Sequence, residues 1–361
     1  MALVVCSCSA TDGSAMDGTN GTNGGPSDPQ GPGGDGGGAM LFGADAGNLG
    51  AEGGTSTSDG GGPGVDGGST TPTDVPTIAG CPIFTAGDAW NQDISHATAD
   101  ATWTSRLQTA SGGVNLHPDF GSNFGIPINV VPQTQAMVPI TYDQYGDESD
   151  PGPYPLPGPG TLKIEGGTPA SCSGDCHIIV LQQGTCSLFE GWACRYSSGW
   201  ICGNGARWNA KAASAGQRPV GWTSADVAGL SIAAGLARFS EVQAGEIKHA
   251  IRFTLPCSRP KYVSPATHEG VPGSCNASDP NALPMGMRIR LKASFNMSAY
   301  NATAKVFLTA MQKYGMILAD NGSPMYLQSE ENAGWNDGDL NALKNVPSSA
   351  FEVITPGPLG G

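Results

Sequence analysis

Charge is scarce in this chain: only 13% of its 361 residues are Asp, Glu, Lys or Arg, and 31 acids outnumber 17 bases. A net charge of −14 offers no basic surface to a phosphate backbone, so nucleic acid is excluded as a partner. Long apolar runs are missing too. No stretch of about 18 or more apolar residues occurs, so no helix is expected to span a membrane. The Gly-x-Ser-x-Gly elbow of serine hydrolases is absent. "GNGARW" has neither the lysine nor the strand-to-helix setting of a phosphate loop. No cysteine pair has the C-x2-C spacing of a zinc site, and His117, His177, His249 and His268 show no i, i+4 or His-x-His spacing. Neither a metal nor another cofactor is expected.

What is present divides the chain. Residues 9–79 are almost entirely Gly, Ser, Thr, Asp, Pro, Asn and Ala, without Lys, Arg or Cys. Such a segment cannot bury enough apolar surface to offset chain entropy and is expected to be a disordered linker. It carries nine acids and no base, leaving residues 80–355 only mildly acidic. These are expected to form one globular, monomeric domain, followed by a flexible tail, 356–361. Residues 1–8 read "MALVVCSC", a small-residue-plus-Cys pattern like a bacterial lipobox, best fitted with Cys8 as the lipidated residue. The basic n-region of such a signal is missing, so the natural start is expected upstream. One lipid on Cys8 would anchor the chain, and the linker would hold the domain off the membrane.

Eight cysteines fall within the domain, an even number that in an exported chain indicates disulfides. Five lie between 172 and 202, which predicts local stapling. Strand signals dominate: "GIPINVVP", "MVPITY", "CHIIVLQ", "CSLFEGWAC", "HAIRFTL", "RIRLKASF", "GMILAD" and "MYLQ" are short, β-branched or aromatic, and bounded by turn residues. The expected fold class is mainly β, an antiparallel β-sandwich or jelly roll with one C-terminal helix. That helix is "SAYNATAKVFLTAMQKYG", with Val306, Phe307, Ala310, Met311 and Tyr314 at helical spacing and Gly315 as its stop. An earlier helix is possible over "ATWTSRLQTA", "TSADVAGL" reads as a capped helical turn, and the Asn-Gly after Asp320 as a hairpin turn.

The hairpin "SGDCHIIVLQQGTCSLFEGW" carries more chemistry than a bland turn needs. A turn at Gln182–Thr185 places His177 opposite Glu190 and Asp175 opposite Trp192, and period-two alternation puts all four on one face. Asp175, His177 and Glu190 then form a candidate acid/base group, with Glu165 of "IEGG" a further carboxylate. Trp192 is a candidate platform for a sugar ring. His117 and Asp119 of "NLHPDFG", and Asp320, are candidate substrate contacts on loops. The competing reading is a cross-strand ion pair with solvated acids. His249 alternates with Ile251 and Phe253 and is expected to be a core histidine.

The string "ESDPGPYPLP…IEGG…GDCH…CSLFE…GWTSADVAGL…HAIRFT…YGMILADNGS" resembles a family of exported proteins of soil actinobacteria and myxobacteria. The resemblance covers most of residues 81–354. It implies an exported, β-rich single domain on a Gly/Ser-rich lipoprotein tether, and implies no particular reaction. The family's hairpin reads Gly-Asp-Arg-His, so Cys176 stands where arginine is usual. That departure implies an extra local disulfide, with Cys172 as its partner. The functional expectation is a carbohydrate-active surface lipoprotein, a glycoside hydrolase acting on extracellular polysaccharide. The alternatives are a glycan-binding or adhesion module, or a structural surface lipoprotein.

Overall fold

The computed structural model describes residues 75–270 and 278–361; Cys8, the linker through residue 74, and Cys275 lie outside the described residues. The strands Asn204–Asn209, Ser187–Trp192, Ile178–Gln182 and Ile128–Val131 lie side by side in that order. Successive side chains of a strand point to opposite faces, and both faces of this sheet are covered. Ile179, Leu181, Leu188 and Trp208 enter the main core. Ile178, Val180 and Phe189 enter a second core with Tyr154, Leu156 and Trp200. Burial on both faces is why "IIVL" is continuously apolar instead of alternating.

A larger sheet holds seven strands in the order Ala99–Asp100, Phe351–Ile354, Arg288–Leu291, Met316–Asn321, Ile251–Leu255, Tyr326–Leu327 and His117–Pro118. Its side chains share the main core with the smaller sheet through Ile251, Phe253, Leu318 and Val353. The sheets are mixed, not antiparallel as expected. Ile251–Leu255 runs parallel to Met316–Asn321 and antiparallel to Tyr326–Leu327, and Ile128–Val131 runs parallel to Ile178–Gln182. The Asn-Gly after Asp320 therefore closes no hairpin. It carries the chain past the Ile251–Leu255 strand, so the strands before and after the turn pair with opposite edges of it. Gly322 fits the crossing because a Cβ there would sit 3.0 Å from Thr254 Oγ1.

Among the described residues two helices exceed two turns, Ala101–Ala110 and Ala302–Lys313. The Asn301 side chain accepts the Ala304 N–H at the start of the second, which buries Phe307, Leu308 and Met311. Gly315, at φ +74°, ends it in a conformation that costs other residues more. "TSADVAGL" is a turn, not a helix.

Three disulfides are described: Cys172–Cys176 and Cys194–Cys202 are local, whereas Cys186 reaches back to Cys81 across 105 residues. Packing also extends past both compositional boundaries. Ile78 is buried and Thr77–Ile78 pairs with Cys81–Pro82, since "VPTI" supplies apolar residues directly beside the first cysteine of the domain. At the other end Leu359–Gly360, expected to be a flexible tail, pairs with Tyr262 and Val263.

Candidate functional site

The hairpin that bears Asp175 and His177 is offset by two residues from the expected register. Gln182 pairs with Ser187, Leu181 with Leu188 and Ile179 with Glu190. The loop has the expected four residues but sits one position later, at 183–186, where Gly184 (φ +79°) and Cys186 (φ +55°) both turn through the left-handed region. A two-residue offset preserves which face each side chain occupies, but Glu190 now lies opposite Ile179 and not His177.

Glu190 is fully buried. Its carboxylate accepts Trp208 Nε1–H at 2.9 Å, Ser231 Oγ–H at 2.9 Å, Ile232 N–H at 3.1 Å and Ala233 N–H at 2.8 Å. Burial pushes its pKa up, against these four donors. Both oxygens are spent on the first turn of the Ile232–Gly235 helix, so the residue braces that segment and is not brought to the group described next. Glu190→Ala leaves four donors facing a void, and we expect a loss of roughly 3–5 kcal/mol in urea unfolding.

His177, also fully buried, sits at the head of the strand with Glu165. Its Nδ1 lies 2.5 Å from Glu165 Oε2, its Nε2 lies 3.1 Å from the Ala225 carbonyl, and its backbone carbonyl accepts the Glu165 N–H at 3.1 Å. Gly166 lets Glu165 come this close: a Cβ there would meet the Ser173 carbonyl at 2.0 Å. With acceptors on both ring nitrogens, the imidazole carries two protons. Burial opposes the charge, but Glu165, helped by Asp175, outweighs it and raises the pKa to about 9. The protonated ring thus stabilises the fold. That contribution is complete below the unfolded value near 6.5 and is lost as pH rises through about 9. We expect alkaline unfolding titrations to show a fall of roughly 3 kcal/mol across this window, absent in His177→Gln.

Behind His177 lies Arg252, fully buried in the Ile251–Leu255 strand. Its guanidinium donates to Asp226 Oδ1 at 2.9 Å and to Gln328 Oε1, with Asp320 Oδ2 at 3.8 Å. The turn "TSADVAGL" delivers two of these contacts. Ser224 Oγ–H donates to the Leu230 carbonyl and Ser224 Oγ accepts the Asp226 N–H at 3.0 Å, so that Ala225 faces His177 and Asp226 faces Arg252. Burial, reinforced by Asp226, pushes the Asp320 carboxyl well above the usual carboxylate range against the pull of Arg252. The segments "IEGG", "GDCH", "TSADVAGL", "HAIRFT" and "ILADNGS" therefore converge on one polar cluster inside an apolar core.

Asp119 and Asp175 extend this cluster toward the surface. The Asp119 N–H bonds the Leu327 carbonyl at 2.7 Å, continuing the pairing of His117–Pro118 with Tyr326–Leu327. Burial, then Glu165 and Asp175, raise the Asp119 carboxyl to about 6, while Arg252 pulls the other way. Asp119 and Glu165 line one cleft of about 400 Å³, together with Phe124 and Glu331. Phe124 is 44% exposed there. Asp175 Oδ1 accepts Trp192 Nε1–H at 3.3 Å. On its other side Trp192 lines a second, narrower cavity with Asp320.

The structure thus gathers Asp119, Glu165, Asp175, His177, Trp192 and Asp320, and leaves Glu190 apart. His117 stacks on Tyr326, with centroids 4.2 Å apart. His249 is buried between the Ala250 carbonyl and Glu241, at 2.8 and 3.2 Å. Arg252, Asp226 and Gln328 escaped sequence reading. The available signal was an arginine in the otherwise apolar run "HAIRFTL", where a buried cation requires buried partners. No group of described residues has the make-up of a metal site. Comparison with protein-family models, curated proteins and solved structures finds no match to this chain.

Proposed function

We propose that this domain is a glycoside hydrolase, and that Asp119 and Glu165 are its two working carboxyls. The observation that carries the reading is their shared cleft. The cleft is lined both by a carboxyl raised to about 6 and by a carboxylate held at Oε2 by a protonated histidine. Glycosidic cleavage needs this difference between two acids, one keeping its proton and one ready to give electrons. Asp119 donates its proton to the glycosidic oxygen as the bond to the anomeric carbon breaks. Glu165, through Oε1, takes a proton from the incoming water or attacks the anomeric carbon itself. His177 is a positioning residue that fixes Glu165, and Phe124 offers an exposed ring on which a sugar can stack.

Disulfides of this kind belong to oxidising compartments, which supports export; anchoring through Cys8 is proposed on the sequence pattern alone. A glycan-binding module without catalysis is the second reading, favoured by the aromatic cavity beside Trp192. The test is product release from plant, fungal and bacterial polysaccharides by the full chain, beside Asp119→Asn and Glu165→Gln. Release that either substitution abolishes supports the hydrolase. Release by neither wild type nor variants, with binding retained, leaves the module.

A further inference from the structure

The cavity beside Trp192 encloses about 70 Å³ and is lined by Tyr145, Asn204, His268, Glu269 and Asp320. Tyr145 and Trp192 wall it with rings 6.1 Å apart at 51°. Most of the donors that line it are already committed. Trp192 Nε1–H goes to Asp175, and Asn204 Nδ2–H to the Ser224 carbonyl. The hydroxyls of Thr223 and Ser224 donate to carbonyls of their own turn. His268 Nδ1 lies 2.9 Å from the Val227 carbonyl.

The unspent capacity is on the acceptor side. Asn204 is 4% exposed, and its Oδ1 is buried without a hydrogen-bond partner. A buried acceptor left in that state costs about 1–3 kcal/mol, which a ligand donor would recover. The half-buried Glu269 has no basic partner among the described residues. Asp320 Oδ2 lies 3.8 Å from Arg252, whose closer partner is Asp226. Arg252, behind Asp320, is taken up by Asp226 and Gln328, and the His268 ring lies 3.8 Å from Glu148.

Aromatic walls, the Glu269 carboxylate and an unfilled acceptor suit a group that carries positive charge and several N–H donors together. We infer that this cavity binds a primary ammonium on a ring, that of a hexosamine unit lacking its N-acetyl group. The choice of a sugar as carrier rests on the glycan reading above; the choice of an ammonium rests on the cavity alone. A neutral hexose would leave Glu269 without a counter-charge. An N-acetyl group would remove the charge and add bulk to a small space.

Calorimetric titration of the full chain with glucosamine trimer, its N-acetylated form and cellotriose tests this. We expect the amine form to bind at least about tenfold more tightly than the other two, a difference near 1.4 kcal/mol. Glu269→Gln, at a half-buried position, should erase most of that preference, and Trp192→Phe should weaken the amine form. Equal affinity for the three sugars, or no heat with any, overturns the inference. So does equally tight binding of an Nα-acetyl-lysine amide, which would make the ligand a peptide. The heats report binding whether or not a bond is cleaved. Amine-selective binding without product release therefore counts against the hydrolase alone, and product release without amine preference against this site alone.

Discussion

Arg252→Met should cost about 3–5 kcal/mol in urea unfolding, a large share of the roughly 5–15 kcal/mol that holds a domain together. The volume of the side chain is nearly kept; its charge is not. Asp226 and the Gln328 carbonyl would remain buried with no cation to face, and Asp320 would lose its nearest positive charge. Adding Asp226→Asn should recover part of the loss, with a coupling of roughly 0.5–3 kcal/mol in the double-mutant cycle. A single-variant loss below about 1 kcal/mol would show that the guanidinium does not carry this cluster.

Asp119→Asn should lower kcat by roughly 10²- to 10⁴-fold on whatever glycan the wild type cleaves, the usual contribution of a positioned proton donor. The direction of the pH dependence follows from its role. A proton donor works only while protonated, so wild-type activity should fall as pH rises through about 6, the value to which burial, Glu165 and Asp175 raise Asp119. Asp175→Asn removes one of those two negative neighbours, and the descending limb should then move to lower pH. A limb that stays in place in Asp175→Asn would assign it to another group.

Much of the fold was legible residue by residue. The eight strand segments all contain strands, because β-branched runs bounded by Gly, Pro and Asn have few other uses. Gly315 marked the end of its helix correctly. Strand direction was not legible, since parallel and antiparallel pairing depend on where the chain goes between strands, which local composition does not encode. Within the candidate site, Asp175, His177, Glu165, Asp119 and Asp320 could be singled out because acids and histidines are conspicuous beside apolar runs. Their meeting could not, as they come from separate segments joined only by packing. Glu190 shows the opposite limit. Its position on the correct face was readable, but four donors from Trp208 and residues 231–233 assign it to the frame.

The strand that carries Arg252 lies between Met316–Asn321 and Tyr326–Leu327, which are joined by four residues. A staple of this kind closes over something already in position. Pairings so distant along the chain raise contact order, which slows folding toward the millisecond-to-second range. During synthesis, the arginine strand leaves the ribosome more than sixty residues before the segment that clips it in place. Asp226 is made before the arginine, but the Asp320 and Gln328 contacts are missing until that clip arrives. The complete charge cluster therefore needs the chain through Gln328, and a chain cut short before Tyr326 lacks one side of the clamp that closes on it.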